Sequence, residues 1–395
     1  MARYEDFYEK VLAEEAAKER AEESAREREA GHGSMDMPFL LLTLLLLGIG
    51  LIMVLSASFA RAYFETGDPT RIFVRQALFS VLGVACMLLI SRFNINLIRR
   101  FSIPLLLVSL LLLAAVPFIG ADSGGARRWI DLGFTTFQPS EIVKLTIILS
   151  FAAMACKYKG RMKTFRYGVL PFAAILLVTV ALLMLEPHIS AAIIIIAIGA
   201  IMMFIGGTKL QWFALGAIVV AAAGFLVLTK FDYAVDRIII WRDPFSDPQG
   251  DGFQIIQSLY AIGSGGLLGV GLGQSRQKYL YLPEEHNDYI FSVVCEELGY
   301  IGAMLILILF AMLIIRGYWI AMHAKDRYST MITAGITSLL FLQVFLNVAV
   351  VTNLIPCTGI SLPFFSYGGT ALLIQLAEMG IILSVSRDIK IKKAG

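Results

Sequence analysis

Residues 281–297 read Tyr281-Leu-Pro-Glu-Glu-His-Asn-Asp288-Tyr-Ile-Phe-Ser-Val-Val-Cys-Glu-Glu297, a polar turn running without a break into an apolar helix. Asp288 stands at the mouth of that helix, and Glu296 and Glu297 follow about two turns inside it. Carboxylates at or below the entry of a membrane-spanning helix are costly to place and point to function or to buried partners. Both readings depend on the surroundings being a membrane. The composition says they are: 58% of residues are hydrophobic, 16% are charged, and the mean hydropathy is +0.76.

Working outward, apolar runs of about 20 residues mark spanning helices. Ten are expected, near 38–60, 74–91, 102–119, 139–156, 168–186, 188–206, 211–229, 289–315, 330–350 and 369–386. The expected fold is an all-α polytopic membrane protein. A long loop, 230–288, separates the seventh and eighth helices and holds short or re-entrant helices. The fifth and sixth helices are divided only by Glu186-Pro-His188. No inverted repeat with matching broken helices is visible, which argues against an alternating-access transporter. Cys86, Cys156, Cys295 and Cys357 lack CxxC spacing, so neither a disulfide framework nor a metal cluster is expected. No cleavable signal peptide is visible either.

Lys and Arg bias orients the chain. With both termini inside, the internal loops carry sixteen Lys and Arg residues and the short external loops carry five. The 230–288 loop, the Arg127–Lys144 region, Glu186–His188 and Pro363–Gly369 then all face outside. Residues 1–36 read as a charged cytoplasmic tail, 37–392 as the membrane domain and 393–395 as a short C-terminal tail.

Within the loop, Phe253–Ile262 has helical apolar spacing suited to a membrane surface. The glycines of Gly263–Gly273 follow no strand and precede no Gly-Lys-Ser/Thr, so no nucleotide is expected there. They suit a re-entrant backbone packed closely on helices.

Asp288 reads either as a helix cap beside Asn287 or as a partly desolvated base. Glu284, Glu285 and His286 share its turn; the like charges nearby would raise its pKa further or, with Glu284 and Asp288 as ligands, hold a divalent cation. Glu296 and Glu297 read as structural pairs with basic side chains on other helices. Glu141 and Lys144, in Gln138-Pro-Ser140-Glu141-Ile-Val-Lys144, share a helix face at i,i+3. They form either a structural pair or a site in which Lys144 meets an anionic head group. Arg127, Arg128 and Arg242 are external cations suited to phosphate or to snorkelling, and Trp129 is an interfacial anchor. Ser366 and Thr370 are candidate caps of the last helix, and His188 a capping histidine beside Glu186.

Six stretches together carry a resemblance: Arg127-Arg-Trp-Ile-Asp-Leu-Gly133, Gln138-Pro-Ser-Glu141, Trp241-Arg-Asp-Pro244, Gly269-Val-Gly-Leu-Gly273, Leu282-Pro-Glu-Glu-His-Asn-Asp-Tyr-Ile-Phe291 and Leu362-Pro-Phe-Phe-Ser-Tyr-Gly-Gly369. In order and in register from Met37 to Lys392, the chain resembles the SEDS family of shape, elongation, division and sporulation proteins. It is closer to the FtsW and SpoVE branch than to the RodA branch. The resemblance implies a ten-helix peptidoglycan glycosyltransferase that polymerises lipid II outside the cytoplasmic membrane. It also implies a class B penicillin-binding protein and other division proteins as partners, with no nucleic acid. Asp288 takes the role of the family's essential aspartate, with Glu141 and Lys144 as its Glu/Lys pair. Substrate contacts are expected from Arg127, Arg128, Trp129, Gln138, Ser140, Glu141, Lys144, Arg242, Glu284, His286, Ser366 and Tyr367. Mg²⁺ or Mn²⁺ is the expected cation. His188 stands where many members have aspartate, and Asn287 where threonine is common. A lipid II flippase and a non-catalytic division scaffold are the rival readings.

Overall fold

The computed structural model describes residues 33–389 except 124–125, 132, 134, 231 and 251; most of the expected N-terminal tail and all of the 393–395 tail lie outside them. Among the described residues, eight helices are long and apolar enough to cross a membrane. They are α1 (Met37–Thr66), α2 (Arg71–Ile90), α3 (Ile95–Ile119), α4 (Pro139–Lys157), α5 (Phe165–Leu185, stepped at Val169), α10 (Ile290–Met322), α11 (Arg327–Val351) and α12 (Gly369–Arg387). Two further apolar helices, α6 (Ile189–Ile205) and α7 (Leu210–Lys230), occupy the other two expected positions. Between α7 and α10 lie α8 (Asp232–Arg242) and α9 (Phe253–Gly265).

The helices start and stop where their chemistry dictates. Asp36 caps α1 by accepting from the Phe39 amide, and Pro139 occupies the first turn of α4, where its missing N–H costs nothing. Glu186-Pro-His188 separates α5 from α6 as expected. Helices α4, α11 and α12 bury two-thirds or more of their apolar windows, whereas α2 and α5 bury about a fifth. The former make the interior of the bundle and the latter present leucine and valine faces to lipid. None of the four cysteines is in a disulfide.

One expectation needs correction: the fold is not purely helical. Between α3 and α4, β1 (Ala121–Ser123), β2 (Ala126–Asp131) and β3 (Thr136–Phe137) form an antiparallel sheet in the order β1-β2-β3. Thr370 Oγ1 donates to the Thr136 carbonyl at 3.0 Å, tying this sheet to the start of α12.

The glycine run packs closely on α10, as its glycines permit. α9 packs on α10, and the chain then turns so tightly that an added Cβ at Gly265 would lie 2.0 Å from the Cys295 carbonyl oxygen. At Gly269 it would lie 2.2 Å from that of Glu297. α10 is broken at this level, with Gly299 at φ 67°, ψ −173°. Its freed groups pair with the loop: Val270 and Gly271 amides donate to the Glu296 and Glu297 carbonyls. Tyr300 and Ile301 amides donate in turn to Gly266 and Leu267. At 1.5 Å per residue, Gly299 lies roughly 13 Å along α10 from its start. The backbone at that depth is satisfied by protein, as a hydrocarbon environment requires.

Candidate active site

The 283–289 turn is held from three sides. Glu285 is fully buried and takes a forked bond from Arg61 on α1, Nε to Oε1 at 2.7 Å and Nη2 to Oε2 at 2.8 Å. Burial alone would raise the Glu285 carboxyl, but His286 and Arg61 hold it below its ordinary value. Asn347, buried on α11, donates through Nδ2 to the carbonyls of Asp288 (2.8 Å) and Ile360 (2.7 Å). From the segment before α12, Ser366 Oγ donates to the Asn287 carbonyl at 2.8 Å and the Tyr367 amide to the His286 carbonyl at 2.8 Å. The Tyr367 ring lies 5.7 Å from that of His286. Ser366 is therefore a strut of the turn and not a helix cap; Gly368 holds the cap position of α12.

Asp288 is left free by this scaffold. Tyr289, not Asp288, occupies the cap position of α10, and no side chain caps that helix, so the capping role does not hold. The Asp288 carboxylate is half-buried and receives no hydrogen bond from the described residues. Gly359, in the left-handed region at φ 67°, is packed so closely that a Cβ there would meet Asp288 Oδ2 at 3.1 Å. Burial, reinforced by the Glu284 charge, pushes the Asp288 carboxyl up to about 6 against the pull of Arg128 and His286. Glu284 is itself exposed and in a left-handed backbone conformation (φ 55°), an uncommon geometry for a non-glycine residue.

Arg128 is the cation common to this region. Its charge acts on Asp288, on Glu186 and on His188, and its Nη2 donates to the Pro187 carbonyl at 2.7 Å. His188 precedes α6 but makes no capping bond. Below it, Lys144 is buried and pairs with Glu141 at 2.7 Å. Glu378 on α12 is buried within reach of both charges. Glu378 was not among the expected site residues, although an acidic residue inside an apolar span is a visible signal. Gln76 on α2 was also missed: its Nε2 donates to the Ser366 carbonyl (3.2 Å) and its Oε1 accepts from the Gly368 amide (3.2 Å).

The other expected contacts are placed elsewhere or are not aimed at Asp288. Arg127 is exposed and turns back to the Pro117 carbonyl of α3. Trp129 is half-buried in β2, paired with Ala121. Gln138 precedes α4 without a side-chain cap, and Ser140 is buried with its hydroxyl unpartnered. Arg242 is exposed. Its neighbour Trp241 exchanges bonds with Asn353, Nε1 to the Asn353 carbonyl at 3.1 Å and Asn353 Nδ2 back at 3.2 Å, which docks α8 on the end of α11. Arg242 is thus held on the rim.

Glu296 and Glu297 have full sets of donors. Glu296 accepts from Ser275 Oγ and from the amides of Arg276 and Gln277. Glu297 accepts from Ser56 Oγ and from the buried Lys278 Nζ at 2.9 Å. The basic partner comes from the loop that precedes α10 and not from another helix, because the re-entrant chain brings Lys278 to that depth.

For a cation, the available donors are Glu284 and Asp288; among the described residues no group of three His, Cys, Asp or Glu is gathered. A divalent cation held by these two carboxylates would have to take its remaining positions from other ligands such as water.

Comparison with known proteins places this arrangement. A family model described as cell cycle protein, for the FtsW, RodA and SpoVE proteins, matches residues 37–391. Stage V sporulation protein E of Bacillus subtilis (strain 168) is 42% identical over 357 residues, 90% of this chain and 97% of that protein. The probable peptidoglycan glycosyltransferase FtsW of Geobacter sp. (strain M18) is 40% identical over 354 residues, 89% and 96%. Among solved structures, a chain of a peptidoglycan synthase complex that coordinates polymerization and crosslinking superposes with a TM-score of 0.76 at 30% identity, covering 90% of this chain and 98% of that one. The rod shape determining protein RodA of Thermus thermophilus superposes with a TM-score of 0.67 at 26% identity, covering 90% and 98%.

Proposed function

The chain belongs to the FtsW, RodA and SpoVE family of cell cycle proteins, and from that premise we propose that it is a peptidoglycan glycosyltransferase with Asp288 as its general base. The observation that carries the reading is the state of Asp288: a half-buried carboxylate, without donors among the described residues, raised to about 6, on a turn braced by Arg61, Asn347 and Ser366. A base of that pKa is ionised at neutral pH yet desolvated enough to accept a proton.

The substrate is lipid II, whose polyprenyl tail lies in the bilayer and whose pyrophosphate and sugars lie at the outer surface. Asp288 takes the proton of the acceptor sugar hydroxyl. The freed oxygen attacks the anomeric carbon of the donor chain, with inversion, and the lipid pyrophosphate leaves. Arg128 and Lys144, with Arg242 on the rim, offset the charge of the leaving pyrophosphate. Mg²⁺ or Mn²⁺ held by Glu284 and Asp288 would supply further charge neutralisation there. The charge bias of the loops supports ten spans with both termini inside and the 230–288 loop outside. The membrane domain is 37–392, flanked by the tails 1–36 and 393–395. A class B penicillin-binding protein is the partner that cross-links the product, and the likeness to a synthase complex that couples polymerization to crosslinking supports it. The similarity to FtsW and SpoVE supports work at the division septum.

The test is polymerisation of lipid II by the purified chain in detergent with its partner synthase. Product in detergent rules out a pure flippase, since no vectorial movement exists there. Asp288→Asn is expected to bind lipid II and make no polymer; polymer made by that variant at the wild-type rate would overturn the assignment.

A further inference from the structure

Beside Asp288, around Arg128, lies a second set of polar groups, of which Glu186 and His188 take no part in the reaction above. Both carboxylate oxygens of Glu186 are buried without a hydrogen-bond partner. The same holds for Nδ1 of the buried His188 and for Nε of Arg128. Three orphaned side chains meeting at one place is unusual, because buried polar atoms are paired in the great majority of cases. Arg128 Nη2 donates to the carbonyl of Pro187, the residue between Glu186 and His188 in the chain, which leaves Nε–H without a partner.

The chemistry of the set selects a ligand. Burial raises the Glu186 carboxyl to about 8 and lowers His188 to about 3, so near pH 7 both are neutral. Glu186 then offers one O–H donor and one carbonyl acceptor, His188 one donor or acceptor according to tautomer, and Arg128 one N–H donor. A metal cation is disfavoured by the guanidinium. A phosphate would find one cation and a carboxyl that donates once. The complementary group is a neutral one carrying both a donor and an acceptor, close to the size of an amide.

We propose that Glu186, His188 and Arg128 form a subsite for the acetamido group of a substrate aminosugar, positioning that sugar relative to Asp288. This rests on the glycosyltransferase reading above. The amide N–H is received by Glu186 and its carbonyl by Arg128 Nε–H, with His188 closing the pocket.

The experiment crosses enzyme variants with substrate analogues, in detergent with the partner synthase. Lipid II is compared with an analogue whose sugar acetamido is replaced by hydroxyl, and kcat/KM is measured for wild type, Glu186→Gln and Glu186→Leu. Wild type is expected to prefer the acetamido substrate by roughly tenfold or more, as a site built to bond a polar group rejects its absence. Glu186→Gln, which keeps a donor and an acceptor, is expected to retain the preference; Glu186→Leu is expected to bring it near unity. Arg128→Lys, which keeps the charge and removes the Nε–H, should also shrink the preference and serves if Glu186→Leu does not fold. Equal wild-type rates on the two substrates, or an undiminished preference in Glu186→Leu, would show that these groups serve buried water alone and would overturn the subsite. Absence of any polymer from wild type would instead remove the glycosyltransferase reading, so the two failures are distinct.

Discussion

Two acidic pairs lie eight to thirteen residues apart in one stretch of chain, and their surroundings are opposite. Glu296 and Glu297, about two turns into α10, are buried and bonded by two serine hydroxyls, three backbone amides and Lys278. Glu284 and Asp288 sit on the turn that precedes α10. Among the described residues Asp288 has charges near it but no hydrogen-bond donor, and Asn287 Nδ2 donates to Glu284. The deeper pair is the more buried and yet the less available. A carboxylate whose lone pairs are all spent is structure, whereas one braced through its backbone with its side chain left open is poised for chemistry.

That contrast can be broken by measurement, beginning with the largest expected change. Glu297→Leu leaves Lys278 buried without its partner, so unfolding in detergent should show a loss of about 3–5 kcal/mol. Replacing both, Glu297→Leu with Lys278→Met, should recover most of it; no recovery would mean that the pair is not a closed structural unit. Arg61→Met removes the forked bond to Glu285 and should cost about 1.5–3 kcal/mol, with a fall in activity because the catalytic turn loses one brace. Asp288→Asn should move thermal unfolding in the other direction. An unpaired, half-buried charge whose ionisation opposes folding is removed, so the variant is expected to be at least as stable as wild type at neutral pH. A destabilised Asp288→Asn would mean that the carboxylate has structural partners after all.

Stability should also respond to pH at this turn. Asp288 is raised in the folded chain above its ordinary 3.8, so the fold favours its protonated form. Its ionisation opposes folding above about pH 6, and that penalty is relieved as pH falls towards 4. Glu285 is shifted down, and its contribution is present at neutral pH and is lost as pH falls through its lowered folded value. In Asp288→Asn only the second trend should remain in the acid unfolding curve.

The helices were legible because twenty-residue apolar runs permit few other structures, and because Pro139 and Glu186-Pro-His188 punctuate them. The re-entrant loop was legible through its glycines, whose close approach to α10 no other residue permits. The small sheet was not: two- to six-residue strands beneath a helix terminus leave no periodic signal. Lys278 was also missed as the partner of Glu297, because a loop residue reaches membrane depth only through that re-entrant turn. Residue pattern alone left Asp288 open between cap and base; the absence of any capping bond on α10 removes the first option.

The most direct test of Asp288 as base is the pH dependence of kcat/KM for lipid II polymerisation in detergent. The prediction is an acid limb with a midpoint near 6, with Asp288→Asn lacking activity on both sides of it while unfolding like wild type. A flat profile between about pH 5 and 8, or polymer from Asp288→Asn at the wild-type rate, would contradict it.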